Sequence, residues 1–199
     1  LDFLTLQGIT GASVHKQFHS MCNGANMAYA KSVFYEVGGF QGIDRIASGD
    51  DMLLMHKIFL KHPERVFFLK AAEATVTTQP EKTWQAFINQ RIRWASKADK
   101  YDDKRIFAVL LLVYLLNVSL LACLAAGFVD HNWLLYSVLL VVTKFLAEIS
   151  FMRAVSGFFG MQRLLIWFPF LQPMHILYTV LAGFLGKFGS YRWKDRKVN

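Results

Sequence analysis

Ile106 to Val129 is a run of 24 residues without one charged side chain. As a helix it extends about 36 Å, more than the roughly 30 Å hydrocarbon core of a bilayer. Lipid supplies no partners for backbone N–H and C=O groups, so a segment of this kind crosses as a helix that bonds them internally. The run predicts a transmembrane helix over about 106–129. Asp130-His131-Asn132 then reads as a tight polar turn before a second helix over about 133–151. Lys144 and Glu148 in that helix stand one turn apart, where they can pair and lower the cost of charge in an apolar run. A third apolar stretch, about 164–186, contains Pro169 and Pro173 near its start, which predicts a broken segment in place of a straight helix.

A content of 54% hydrophobic residues and a mean hydropathy of +0.31 fit a chain that lies partly in lipid. The net charge of +8 is gathered beside the apolar runs, at Lys97, Lys100, Lys104 and Arg105, at Arg153 and Arg163, and at Arg192, Lys194, Arg196 and Lys197. Such clusters match the positive-inside pattern and attraction to anionic lipid heads, and argue against a nucleic-acid partner. They predict an integral, multi-pass protein of the cell membrane whose soluble part and tail are cytoplasmic, the broken third segment returning the chain to that side. Cys22 and Cys123 form no disulfide framework or zinc spacing. His15, His19, His56 and His62 lack metal-ligand spacing and read as surface or packing residues.

Residues 1–104 read as soluble. A helix and loop are expected over 1–20, then a small-residue turn at Cys22-Asn23-Gly24-Ala25-Asn26, then a helix over 31–37 stopped by Gly38-Gly39. Ser48-Gly49-Asp50-Asp51 opens a further helix, with both carboxylates at its positive end. Val66–Leu69 and Ala74–Thr78 have strand composition, and Thr83 can cap a helix over 84–98.

That last helix carries Gln90-Arg91-Ile92-Arg93-Trp94 at the approach to the membrane. Two guanidinium groups, an amide and an indole suit an anionic, ring-shaped substrate delivered near a bilayer, which is the description of a sugar on a diphosphate. A guanidinium can receive the charge of a departing diphosphate through paired hydrogen bonds, and an indole offers an apolar face to a sugar ring. Transfer of a sugar to a hydroxyl also needs a carboxylate to take the acceptor proton. Asp51 is the candidate for that base. Asp50, Gln90, Arg93 and Trp94 are the candidates for substrate binding.

Gln90-x-x-Arg93-Trp94, preceded some forty residues earlier by Asp50-Asp51-x-x-Leu54, resembles the membrane-bound family 2 glycosyltransferases, which include the cellulose, chitin and hyaluronan synthases. Asn23-Gly24-Ala25-Asn26-Met27-Ala28 with Val37-Gly38-Gly39-Phe40 resembles the acceptor-side segment of the same family. The resemblance implies an α/β fold, part of a GT-A catalytic domain over 1–104, followed by an α-helical membrane region over 105–199. It implies inverting transfer from a nucleotide-sugar donor to a glycan or lipid-linked acceptor, and a divalent metal, Mg or Mn, held by an Asp-x-Asp motif. It also places the base at the second acid, Asp51, although Asp50 stands where a glutamate usually opens the pair. This chain has no Asp-x-Asp and no nucleotide-binding strands before Cys22, so it is expected to be a carboxy-terminal part that does not turn over alone.

Each motif has a plainer explanation. Paired acids often only cap a helix, and an Arg-Trp pair before a span often only anchors it at the interface. A non-catalytic polytopic protein, such as a transporter subunit or scaffold, would use Lys144 and Glu148 within the second span. It would leave the ordered combination of the three motifs without a purpose.

Overall fold

The computed structural model describes residues 1–18, 22–44, 49–98, 104–193 and 196–198. The expectations for His19, Ser48, Lys100 and Lys194 lie outside the described residues. The described residues form seven α-helices: α1 (Asp2–His15), α2 (Lys31–Glu36), α3 (Asp50–Lys61), α4 (Trp84–Ala95), α5 (Lys104–Ala126), α6 (Asn132–Phe158) and α7 (Phe168–Phe188). The strands among the described residues are β1 (Tyr191–Trp193) and β2 (Arg196–Val198), an antiparallel pair that aligns Tyr191 with Val198.

The expected α/β fold is therefore overturned: the described chain is helical, and its one sheet is this short terminal pair. Residues 66–71 and 75–81 lack regular structure, with a 3-10 turn (Ala72–Ala74) between them. The runs at Val66–Leu69 and Ala74–Thr78 are β-rich in composition, but composition makes a strand only when a neighbour takes up its backbone donors and acceptors. No such neighbour lies beside them among the described residues.

Helix α3 organises residues 24–62. Leu53, Leu54, Ile58 and Phe59 bury its apolar face, and its polar side chains hold residues 24–41 around it. Lys57 Nζ donates to the carbonyls of Gly39 at 2.7 Å and Gln41 at 3.1 Å, and Lys61 and His62 both reach Glu36 at 3.1 Å. These contacts grip the turn after α2, where Gly38 and Gly39 take φ of 72° and 52°, a region glycine enters at little steric cost.

Three helical stretches are long and apolar enough to cross a membrane: Lys104–Ala126, Asn132–Phe158 and Gln162–Phe188. Their outward leucines, among them Leu112, Leu135 and Leu146, stay exposed, as lipid-facing side chains do. The second helix runs seven residues beyond the expected end at 151 and includes Arg153. The third stretch divides into a 3-10 segment (Gln162–Trp167) and α7, whose first turn holds Pro169, where a missing N–H costs nothing. Pro173 is accommodated inside the helix.

Helix α7 packs along α4. Ile88 and Ile92 of α4 meet Ala182, Leu185 and Tyr191, and a Cβ on Gly186 would stand 2.9 Å from Ala95 Cβ, so the two backbones approach closely. Helix α1 lies on the last turns of α6, where Thr5 Oγ1 reaches Met152 Sδ at 3.2 Å. The apolar helices thus fix the helix that carries Gln90 to Trp94.

Candidate functional site

The two acids at the start of α3 have different surroundings. Gly49 precedes them with φ of 88° and turns the chain into the helix. Asp50 is exposed, whereas Asp51 is half-buried with both carboxylate oxygens engaged. Asp51 Oδ2 accepts from the Gly24 N–H at 2.8 Å, and Oδ1 accepts from the Met52 N–H at 2.8 Å. Asn23 caps the short turn at Gly24–Asn26 through the Ala25 N–H, and Asn26 Nδ2 donates to the Ala74 carbonyl at 2.7 Å. Two motifs 27 residues apart in sequence therefore meet at one carboxylate.

The approach leaves no room for a side chain at position 24, because a Cβ there would lie 2.9 Å from Asp51 Oδ2. Gly24→Ala will displace the carboxylate while the exposed turn remains folded. Since a shift of about 1 Å in a reacting group can lower turnover roughly 10²-fold, steady-state kinetics of the full-length variant will show a loss of that order if Asp51 reacts. Unchanged turnover would separate the turn from the chemistry.

Helix α4 divides its polar residues between two directions. Gln90 Nε2 donates to Glu81 at 2.8 Å, and Gln90 Oε1 accepts from Arg91 at 2.9 Å. Arg91 pairs with Asp2, and its guanidinium lies 4.5 Å from the Phe87 ring centre and 4.3 Å from that of Trp94. The Trp94 indole thus already carries a guanidinium against its ring, which limits how a sugar could stack on it. Arg93 turns the other way. Burial lowers its pKa, while the charges of Tyr191, Glu81 and Asp51 favour its protonated form.

Lys97, three residues past Trp94, is the residue that sequence reasoning treated only as part of a membrane-flanking cluster. It is 3% exposed, and its stem covers Gly49, where a Cβ would lie 2.8 Å from Lys97 Cε. Its Nζ donates to the Arg93 carbonyl at 3.2 Å. Burial and then the Arg93 charge bring its pKa down to about 8, with Asp51 and Asp50 acting in the opposite sense. Its spacing from Gln90 and Arg93, i+7 and i+4, was the signal available in the sequence. Near the same carboxylate, burial and the Asp51 charge push the Cys22 thiol up to about 12, so it stays protonated and unreactive at neutral pH.

No group of three or more His, Cys, Asp or Glu among the described residues is arranged to hold a metal. His56 is buried, His62 pairs with Glu36 and His15 is exposed. The divalent ion that the resemblance implies has no fitting ligand set among the described residues.

A glutamine and a cation pair on and just past α4, which packs on an apolar helix, together with a held carboxylate, suit stabilisation of a departing anion. Neither a curated protein nor a solved structure matches the chain. The family model described as glycosyl transferase family group 2 matches residues 2–186, nearly the whole length. The chain therefore belongs to glycosyl transferase family group 2 and is a glycosyltransferase.

Proposed function

We propose that the protein transfers a sugar, with inversion, from a nucleotide-diphosphate donor to a lipid-linked or polysaccharide acceptor at the cytoplasmic face of the membrane. The observation that carries this reading is the Asp51 carboxylate, fixed by the Gly24 and Met52 N–H groups opposite the helix end that bears Arg93 and Lys97. In this reading residues 1–104 supply the acceptor side of the site, and residues 105–199 hold it at the bilayer.

The acceptor hydroxyl loses its proton to Asp51 as its oxygen bonds to the anomeric carbon. The bond from that carbon to the diphosphate oxygen breaks, and the nucleotide diphosphate leaves with the electron pair. Arg93 and Lys97 stabilise the charge that collects on the leaving oxygens, an interaction that strengthens as the bond breaks. Gln90 orients Arg91 and the loop at Glu81, Asp50 reaches the acceptor from the exposed side of the turn, and Trp94 bounds the sugar site with the ring edge that Arg91 leaves open.

Donor-dependent sugar transfer by the full-length protein in membranes tests this reading. Incorporation of sugar from a labelled nucleotide sugar into a membrane-extractable or polymeric product is expected. Failure with a panel of uridine and guanosine diphosphate sugars would leave the polytopic scaffold as the better account.

The Lys97 pKa supplies a further test. Folding depresses it, so the charged form opposes folding below about 8, and that opposition fades as pH rises through 8 towards the ordinary lysine value. The cation is lost over the same window. Turnover is therefore expected to fall above about pH 8, and Lys97→Arg, which cannot deprotonate there, will keep activity to higher pH. An alkaline limb identical in both enzymes would remove Lys97 from the leaving-group site.

A further inference from the structure

Beside α4 lies an open cavity of about 770 Å³, bordered by α1, α6, α7 and the chain leading into α4. Its walls are mainly apolar, with Ile9, Phe151, Met152, Phe168 and Leu171 among them. Trp84 and Phe87 present the α4 side. Gln90 and Arg93 share one face of α4, with Lys97 just past the end of the helix, and Trp84, Phe87 and Arg91 lie about 100° round from it. Glu81 joins the two faces, since it lines the cavity and accepts from Gln90.

The polar groups of the cavity are largely committed to one another. Asp2 is held by Arg91 and by the Tyr178 hydroxyl. Glu148 accepts from Lys144 at 2.7 Å and from Gln172 Nε2 at 2.8 Å. His175 Nδ1 is different: it is buried against the cavity without a hydrogen-bond partner. Buried polar atoms of this kind are ordinarily satisfied by protein, water or ligand.

Asp2 and Glu148 are already paired with Arg91 and Lys144, and the exposed Glu81 stands beside the exposed Lys82, so the lining carries no surplus of positive charge. That balance disfavours an anionic head. A long-chain lipid with an uncharged, hydroxyl-bearing head satisfies both features, its chain between Phe151 and Leu171 and its head towards His175 and Glu81. We propose that this cavity is the acceptor-lipid site, which takes a neutral lipid alcohol and delivers its head past the start of α4 to Asp51. This rests on the glycosyl-transfer reading for its purpose and on the cavity alone for its binding.

The test uses the full-length protein in phosphatidylcholine nanodiscs that contain a diacylglycerol with a diazirine in one acyl chain. Irradiation followed by peptide mass spectrometry reads where the lipid sits, without any sugar transfer. Adducts on Phe151, Met152, Leu171 and Met174 are expected to exceed those on the outward Leu112 and Leu139. The same lipid acetylated at its hydroxyl, or replaced by a diazirine phosphatidic acid, will label the cavity about fivefold less, the worth of one net hydrogen bond. His175→Phe will make the free and acetylated lipids equal, and Ala147→Trp will lower all cavity adducts but not those on Leu112. Adducts confined to outward positions, whether because another segment of chain fills the space or because it stays empty, would overturn the proposal. Phosphatidic acid labelling as strong as that of diacylglycerol would overturn it too. If sugar transfer occurs in membranes while the cavity takes no label, only this inference fails; if label enters but no sugar is ever transferred, the glycosyl-transfer reading fails and takes the acceptor role with it, leaving a lipid-binding site.

Discussion

In the full-length enzyme, Asp51→Asn is expected to preserve the fold and donor binding while lowering turnover by roughly two to four orders of magnitude, the range for removing a positioned base. Asparagine retains an oxygen that can accept from one backbone N–H, so the link between α3 and the Asn23–Asn26 turn is weakened and not abolished. It has no carboxylate to take the proton. Asp50→Asn should cost less, because Asp50 is exposed and successive helical residues point about 100° apart, so both acids cannot meet the acceptor oxygen in the same way. Turnover measured against a saturating donor, with donor affinity determined separately, distinguishes a lost base from a lost site. Near-normal turnover in Asp51→Asn with loss in Asp50→Asn would exchange the roles. Full activity in both would end the catalytic reading of α3.

Lys144→Met is expected to destabilise the membrane region by about 3 kcal/mol, at the lower end for breaking a buried ion pair. The Lys144 side chain is 5% exposed; Glu148 keeps 37%. Lys144 Nζ reaches Glu148 Oε1 at 2.7 Å and donates to Gln172 Oε1 at 2.7 Å, and Gln172 Nε2 returns to Glu148 at 2.8 Å. The three side chains close a ring that ties α6 to α7. Loss of the lysine leaves a carboxylate among apolar helices, so the penalty comes from what remains. Removing the whole ring, by Lys144→Met with Glu148→Leu and Gln172→Leu, should recover most of the stability. Thermal unfolding of the purified protein in detergent checks both, and a single variant as stable as the parent would show that the ring bears no load.

The helices long and apolar enough to cross a membrane were legible because they depend on sums along one segment. The uncharged run from Ile106 fixes a helix whatever surrounds it, and α5 follows it closely. Lys144 and Glu148 paired as their spacing required, since four residues along a helix are neighbours in any fold. The third partner, Gln172, was not visible, because its place depends on how α7 lies against α6. The strands at Val66–Leu69 and Ala74–Thr78 were misread for a related reason: a strand is a property of a pair, and local composition contains only one member of it. The family was legible from three motifs in order, whereas their geometry was not. Tertiary structure decided that Asp51 is the acid held by Gly24, that Arg91 occupies Asp2 and Trp94, and that Lys97 lies buried over Gly49 beside the candidate base. Spacing along the chain determines which side chains share a helix face; only the docking of one helix on another determines which charges lose water together, and that loss gives them their chemistry.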